Sequence, residues 1–116
     1  MAGELRDALW GRHQLALLYD TIFREVKVSK LTPGSTAVGT TSATVVPANT
    51  NRKYLTIVND GDSNLYLSIG TTAILGKGIP LLPGGCFEMN LTNLMTGAVT
   101  GITSIASMGA CWSEGV

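Results

Sequence analysis

The fold is decided by residues 51–70, which read NRKYLTIVNDGDSNLYLSIG. Apolar and polar side chains alternate over residues 53–58 and again over residues 65–69. Such alternation is typical of strands that bury one face. The intervening Asn59-Asp60-Gly61-Asp62-Ser63-Asn64 is rich in the residues that turns favour, so we expect a hairpin turn between the two strands. Leu55 and Ile57 are predicted to share one face of a half-buried strand, opposite Tyr54, Thr56 and Val58, and in the second strand Leu65, Leu67 and Ile69 are predicted to point inward.

Short stretches of the same kind lie on both sides of this unit. The further predicted strands are Thr41–Val46, Ile79–Leu82, Cys86–Leu91, Gly97–Ser104 and Ala106–Ser113. In the Cys86–Leu91 strand, Phe87, Met89 and Leu91 share one face. Strands spaced about 8–12 residues apart, without alternating helices, favour an antiparallel β-sandwich over a parallel α/β fold. We therefore expect residues 42–116 to form a mainly β, jelly-roll-like sandwich.

The N-terminal segment has a different pattern. Apolar residues recur at three-, four- and seven-residue steps, which predicts an α-helical extension over residues 1–28, with the helix itself starting near residue 3. Its wide apolar arc needs a cover, which could be the sandwich, other copies of the chain, or another protein. Residues 29–41 contain Pro33-Gly34 and many Ser and Thr residues, so they are predicted to be a linker. The predicted partner or oligomer contacts are Leu15, Leu18, Tyr19, Ile22, Phe23 and Val26.

The composition restricts the classes of function. The chain has 8 basic and 8 acidic residues, and only 14% of its residues are charged. Nucleic-acid binding needs clustered Lys and Arg, so this composition argues against it. No stretch is long and apolar enough for a membrane span, and no signal peptide is recognisable. Cys86 and Cys111 are therefore expected to be free thiols made in a reducing cytoplasm.

Catalytic and ligand-binding patterns are weak throughout the sequence. His13 is the single histidine, and nothing marks a partner for it, so we predict no enzyme, cofactor or metal site. The acidic stretch 59–64 has oxygen ligands, but it lacks the Glu and flanking helices of a calcium loop. Residues 70–78 are followed by Ile-Pro rather than by the helix of a phosphate loop. Arg52 is predicted to begin a strand and to pair with the acidic turn.

Residues 44–114 carry a resemblance to a known family. The relevant segments are residues 47–59 (PANTNRKYLTIVN), 64–70 (NLYLSIG), 78–89 (GIPLLPGGCFEM), 96–102 (TGAVTGI) and 110–115 (ACWSEG). Together they resemble small structural proteins of tailed bacteriophages, which include head-associated, decoration, cement and fibre proteins. The resemblance implies a β-sandwich and supplies no catalytic residues. Residues 1–28 lie outside the pattern.

The resemblance and the composition lead to one main hypothesis. We expect a virion structural protein, assembled in the host bacterial cytoplasm, that acts as a capsid decoration or cement protein. Its expected partners are the major capsid protein or other virion proteins, and its expected self-association is a homotrimer. The alternative is a fibre or tail-associated module that recognises a host surface glycan. That alternative predicts aromatic and polar residues at loop tips, whereas Tyr54 and Tyr66 are predicted to lie on strands.

Overall fold

The computed structural model of the chain describes residues 27–116, which form two packed antiparallel sheets. Sheet A has the strand order β1-β8-β3-β6 and sheet B the order β2-β7-β4-β5. This arrangement confirms the predicted antiparallel β-sandwich. The strands are β1 (Leu31–Val38), β2 (Ala43–Val46), β3 (Tyr54–Asn59), β4 (Leu65–Ile69), β5 (Ile79–Leu81), β6 (Cys86–Met89), β7 (Val99–Thr103) and β8 (Met108–Gly115).

The predicted N-terminal helix falls on residues that are almost all outside the described part of the chain. Only its last two positions, Lys27 and Val28, are described, and neither is helical. Within residues 27–116 there is no helix with the length and apolar character needed to cross a membrane.

The strands pair as though one long hairpin had been folded over on itself. β4 pairs with β5, β3 with β6, β2 with β7, and β1 with β8, all antiparallel. The connection that closes this long hairpin is residues 70–78. Two further pairings, β3 with β8 and β4 with β7, join these ladders into the two sheets.

The core lies between the sheets and is built from the alternation visible in the sequence. Leu55, Ile57, Leu65 and Leu67 are fully buried, as predicted. Other strands contribute further apolar side chains, so the two inner faces form one continuous cluster. The remaining members are Val38, Val45, Val46, Leu81, Met89, Val99, Met108 and Ala110, with Ile69, Ile79, Phe87, Leu94 and Trp112 packed against them.

The prediction for Leu91 is wrong. Its side chain is 64% exposed because β6 ends at Met89, before the alternation reaches it. Asn90 begins a tight turn in which its Oδ1 accepts hydrogen bonds from the backbone N–H and the hydroxyl of Thr92. A side-chain amide that satisfies local backbone groups competes with strand pairing, so the strand ends there.

The predicted hairpin between β3 and β4 is also wrong. The two strands belong to different sheets, so residues 60–64 cross from sheet A to sheet B instead of joining paired neighbours. Alternation establishes that each strand buries one face, but two strands in facing sheets satisfy that condition as well as two paired strands do.

The predicted linker over residues 29–41 is a third error, because it contains β1. This strand pairs with β8 over its whole length, from Leu31 opposite Gly115 to Val38 opposite Met108. Pro33 is tolerated because β1 is an edge strand. At Gly34 the Trp112 indole occupies the space that a Cβ would need. Pro33 and Gly34 therefore lie within an edge strand, where Gly34 makes room for the Trp112 indole, and they form no turn.

The alternation on β3 generates a direct test of the packing. Replacing Ile57 by Ala should reduce the free energy of unfolding by about 2–5 kcal/mol, because its side chain is fully buried in the core. The matched control is Val58→Ala on the outer face of the same strand, for which we expect about 1 kcal/mol or less. Denaturant unfolding measures both. A larger cost at Val58 than at Ile57 would mean that β3 is turned over by one residue.

Candidate functional site

The side chain of Arg52, just before β3, organises one end of the sandwich. The residue is 2% exposed, and each of its three side-chain nitrogens donates to an acceptor in the protein. Nε donates to Glu114 Oε2 at 2.7 Å, while Nη1 donates to the carbonyl oxygens of Met95 and Gly97 at 2.8 and 2.9 Å. Nη2 donates to the carbonyl oxygen of Pro47 at 2.7 Å. A planar guanidinium is suited to such a cluster because its donors form a rigid fork.

These bonds connect parts of the chain that come from both sheets. Glu114 lies on β8 of sheet A, whereas Pro47 follows β2 and Gly97 precedes β7, both in sheet B. The second carboxylate oxygen of Glu114 accepts a hydrogen bond from Asn49 Nδ2 at 3.1 Å. The ion pair therefore closes the sandwich at what we call the Arg52 end.

The structure corrects the predicted partner of Arg52. The acidic stretch 59–64 begins at the last residue of β3, whereas Arg52 precedes the first. A six-residue strand is roughly 20 Å long, so the two cannot pair. The true partner, Glu114, is 62 positions away in the sequence, and no local spacing indicates it.

Asn59 performs the corresponding task at the other end of β3, which we call the Asn59 end. Its buried Nδ2 donates to the carbonyl oxygens of Ser63 and Leu81, both at 2.8 Å, and its Oδ1 accepts from Gly61 N at 2.9 Å. The amide thus fixes the 60–64 connection and ties it to β5. Residues 59–64, which have the oxygen ligands of a possible calcium loop, are therefore held in place by the side-chain amide of Asn59. Within residues 27–116, no three His, Cys, Asp or Glu side chains converge in a way that could hold a metal ion.

The chain enters the sandwich at the Arg52 end. The backbone N–H groups of Ser29 and Lys30 donate to the carbonyl oxygen of Val116, and Val116 N donates back to Lys30. Lys53 Nζ donates to the carbonyl oxygen of Lys27 at 3.2 Å. The described part of the chain therefore begins at this end. The predicted contact residues Leu15, Leu18, Tyr19, Ile22, Phe23 and Val26 all lie outside the described residues.

Exposed apolar side chains also occur at the Arg52 end. Leu91 and Met95, in the connection between β6 and β7, are 64% and 51% exposed, and Leu31 lies nearby at the start of β1. Large exposed apolar groups are informative when they cluster. The sequence does not mark these positions as surface groups, because an apolar residue beside a strand resembles a core residue in sequence.

Within residues 27–116, nothing covers the outer face of sheet A, and few of its side chains are charged. The Glu88 Oε2 accepts a hydrogen bond from the Tyr54 hydroxyl at 2.8 Å, and the Asp60 carboxylate lies 3.7 Å from Cys111 Sγ. Most other side chains on this face are small. By strand register the face consists of Leu31, Pro33, Ser35 and Ala37 of β1, Gly109, Cys111 and Ser113 of β8, Tyr54, Thr56 and Val58 of β3, and Cys86 and Glu88 of β6.

Both cysteines lie on this face, in one row across the sheet. Cys86 and Cys111 are the partners of Val58 on its two sides, which places them about 10 Å apart, two strand spacings. Disulfide formation needs Cα atoms closer than about 7 Å. The two thiols are free, as predicted, and the sheet geometry prevents them from bonding to each other.

The outer face of sheet B, in contrast, is crossed by residues 70–78. The Thr100 hydroxyl donates to the carbonyl oxygen of Thr71 at 2.7 Å, and Ala73 N donates to the Ser42 hydroxyl at 2.9 Å. The connection thus passes over β7 towards β2 before it returns to β5. It leaves one groove on each side, so the two faces of the sandwich offer different surfaces.

Comparison with known proteins assigns no relative to the chain. No protein-family model matches it, and no curated protein matches it either.

Breaking the Arg52 ion pair should be costly. Arg52→Met should lower the free energy of unfolding by about 3–5 kcal/mol, because it leaves the Glu114 carboxylate and three carbonyl groups without their partner. The double variant with Glu114→Gln should recover part of this loss, since it removes the unpaired charge. Denaturant unfolding of the two single variants and the double variant measures the coupling. Strictly additive effects would show that the pair is not coupled.

Asn59→Asp tests the other end with a nearly isosteric change. It replaces the Nδ2 donor by an oxygen facing two carbonyl oxygens, so we expect a loss of about 2 kcal/mol or more in unfolding free energy. Asn93→Asp is the control, because the Asn93 amide is exposed and donates to a single carbonyl group. Equal effects of the two substitutions in thermal unfolding would contradict the role assigned to Asn59.

Proposed function

We propose that the chain is a bacteriophage virion structural protein, and that it acts as a capsid decoration or cement protein. The observation that carries the proposal is the outer face of sheet A, which no segment of residues 27–116 covers and which is built mostly from small uncharged side chains, with Glu88 and Asp60 as its acidic groups. A surface that stays in water normally has many more charged groups. Such a face is suited to contact with another protein surface.

The charge distribution of the whole sandwich supports the same conclusion. Residues 27–116 contain five basic and four acidic residues, nine charged groups in all. Arg52 and Glu114 are used inside the structure, so seven charged side chains remain for the surface of a 90-residue domain. Interface cores are depleted of charged groups, so this composition favours a role in assembly over an isolated existence.

The strand order supports the finer assignment of a jelly roll. Sheets in the orders 1-8-3-6 and 2-7-4-5 are obtained when one long antiparallel hairpin is rolled into two layers. Jelly rolls occur in viral capsid and lectin domains, among others. Fold alone does not determine function, so this agreement adds to the surface argument without replacing it.

The mechanism proposed for stabilisation is binding to the assembled shell alone. A protein that binds only the assembled state stabilises it by mass action. A contact that buries about 1,600 Å² in total is sufficient for specific attachment. In a homotrimer, several copies would bind neighbouring sites together, which raises the overall affinity without new contacts. Residues 1–26 would extend from the Arg52 end and supply a further contact with the major capsid protein or another virion protein.

The alternative, a fibre or tail-associated module that binds a host glycan, predicts exposed aromatic residues. Tyr54 fits it poorly, because its hydroxyl bonds to Glu88 and Thr56 on a flat sheet face. Tyr66 lies in a groove on sheet B and fits it better. Particle binding discriminates the two hypotheses, because a cement protein must bind assembled heads whereas a glycan-binding module need not.

A charge placed on the outer face of sheet A should interfere with attachment. Ser35→Arg adds a bulky cation at an exposed position of β1 and should weaken binding to assembled heads about tenfold or more. The control is Thr72→Arg, which adds the same group at an exposed position over sheet B. Co-sedimentation with purified heads measures both. Equal binding by the two variants would argue against sheet A as the attachment surface.

Removal of residues 1–26 tests the proposed second contact. The remaining chain retains all eight strands, so it should keep a cooperative unfolding transition. We expect its binding to heads, or its self-association, to be lost. Co-sedimentation and analytical ultracentrifugation measure the two properties. A truncated protein that saturates heads with unchanged affinity would contradict the role proposed for these residues.

A further inference from the structure

We propose that the groove over Tyr66 on the outer face of sheet B is a binding site for a neutral saccharide. This site lies on the opposite sheet from the proposed attachment surface. The inference goes beyond the proposed function, because a protein fixed to a particle through sheet A would leave this groove open to solvent.

The groove is formed by strand β4 and two connections. It is lined by the half-buried Tyr66 of β4, by Leu75 and Gly76 of the 70–78 connection, and by the turn that carries Asp62 and Asn64. Its volume is about 520 Å³, within the range of small-ligand sites. An aromatic ring with a hydroxyl at its edge, an apolar wall and several polar groups thus surround one space.

The framework of the groove is fixed by contacts inside the protein. Asn59 holds the 60–64 turn through its bonds to Gly61 and Ser63. The Ser63 and Ser104 hydroxyls lie 3.1 Å apart and connect this turn to the turn between β7 and β8. Tyr66 is paired with Pro80 on one side and Ile102 on the other, so its ring is flanked by both neighbouring strands. A site that is already ordered loses less entropy when a ligand binds.

Three of the polar side chains that line the groove have no hydrogen-bond partner within residues 27–116. The Asp62 carboxylate, the Asn64 amide and the Tyr66 hydroxyl make no hydrogen bond to any residue within 27–116. Together they present carboxylate acceptors, an amide with both donor and acceptor, and a hydroxyl that can do either. They are therefore available to a ligand.

The second groove on the same sheet face provides a contrast. There the Ser68 and Thr71 hydroxyls lie 2.6 Å apart, and the hydroxyls of Thr100 and Ser42 are bonded to the backbone of the 70–78 connection. No aromatic ring of residues 27–116 lines it. Its polar groups thus hold the connection in place, whereas Asp62, Asn64 and Tyr66 have no such role within the described part of the chain.

The chemistry of the Tyr66 groove matches a saccharide. A sugar presents hydroxyl groups at its edges and an apolar C–H face, which suit the polar groups and the aromatic ring respectively. The Asp62 carboxylate is exposed at the groove, so a carboxylate- or phosphate-bearing ligand would meet a like charge. We therefore assign the site to a neutral hexose or N-acetylhexosamine.

The test is a titration of the ¹⁵N-labelled full chain with single sugars, followed by NMR. The probes are the methyl glycosides of glucose, galactose, mannose and N-acetylglucosamine, with N-acetylneuraminic acid as the acidic comparison. We expect at least one neutral sugar to shift the amide signals of residues 62–66, 75–76 and 104, with Kd on the order of 1 mM. Asp62→Asn and Tyr66→Phe should each weaken this binding, the former about tenfold or more.

The matched controls carry the same changes on the opposite sheet. Glu88→Gln and Tyr54→Phe alter an acid and a tyrosine on sheet A, and should leave the sugar affinity unchanged. Thermal unfolding of every variant establishes that each is folded. The proposal is overturned if no neutral sugar shifts the groove signals, if N-acetylneuraminic acid binds more tightly than the neutral sugars, or if the groove variants bind as the controls do.

Discussion

The ion pair between Arg52 and Glu114 is the interaction on which the architecture depends. Removing a guanidinium from water costs several kcal/mol, and the structure offsets this cost with one carboxylate and three carbonyl acceptors. No buried side-chain N or O atom within residues 27–116 lacks a partner. Because the acceptors come from both sheets, the charge can be satisfied only when the sandwich is closed. At the opposite end of β3, the buried amide of Asn59 likewise donates to backbone carbonyl oxygens from two other segments, the 60–64 connection and β5.

A sandwich closed by internal polar groups leaves its outer surfaces free for other uses. Apolar side chains from all eight strands fill the interior, and the alternation directs mostly small or uncharged groups outward. On sheet A this produces a face with few charged groups, while on sheet B the 70–78 connection divides the face into grooves. Protein contact on one face and ligand binding on the other are therefore compatible with a single small domain.

Much of the fold could be predicted from sequence because alternation is a local signal. The strand Leu65–Ile69 has the predicted bounds, and Leu55 and Ile57 are buried as expected. The partners of each strand depend on distant residues, so the local sequence predicts a hairpin between β3 and β4 where the structure has a crossing from one sheet to the other. Strand β1 is difficult to predict because its residues alternate only weakly between apolar and polar side chains. The Pro33-Gly34 pair within it is, in addition, a strong turn signal. The Tyr66 groove could not be predicted, because Leu75 and Asp62 meet only through the path of the 70–78 connection. The predicted contacts from Leu15 to Val26 fall outside the described residues and stay a prediction.

Native-state hydrogen exchange tests the role of the Arg52 ion pair most directly. Asn49 lies in an irregular connection, and its N–H donates to the carbonyl oxygen of Thr96, in the segment that Arg52 also binds. If the ion pair fastens this end to the core, the Asn49 amide should exchange only when the whole domain unfolds, within about tenfold of the rate at Ile57 in the centre of β3. Exchange at Asn49 that is faster by orders of magnitude and independent of denaturant, while Ile57 stays protected, would mean that the Arg52 end opens on its own, which would contradict this role.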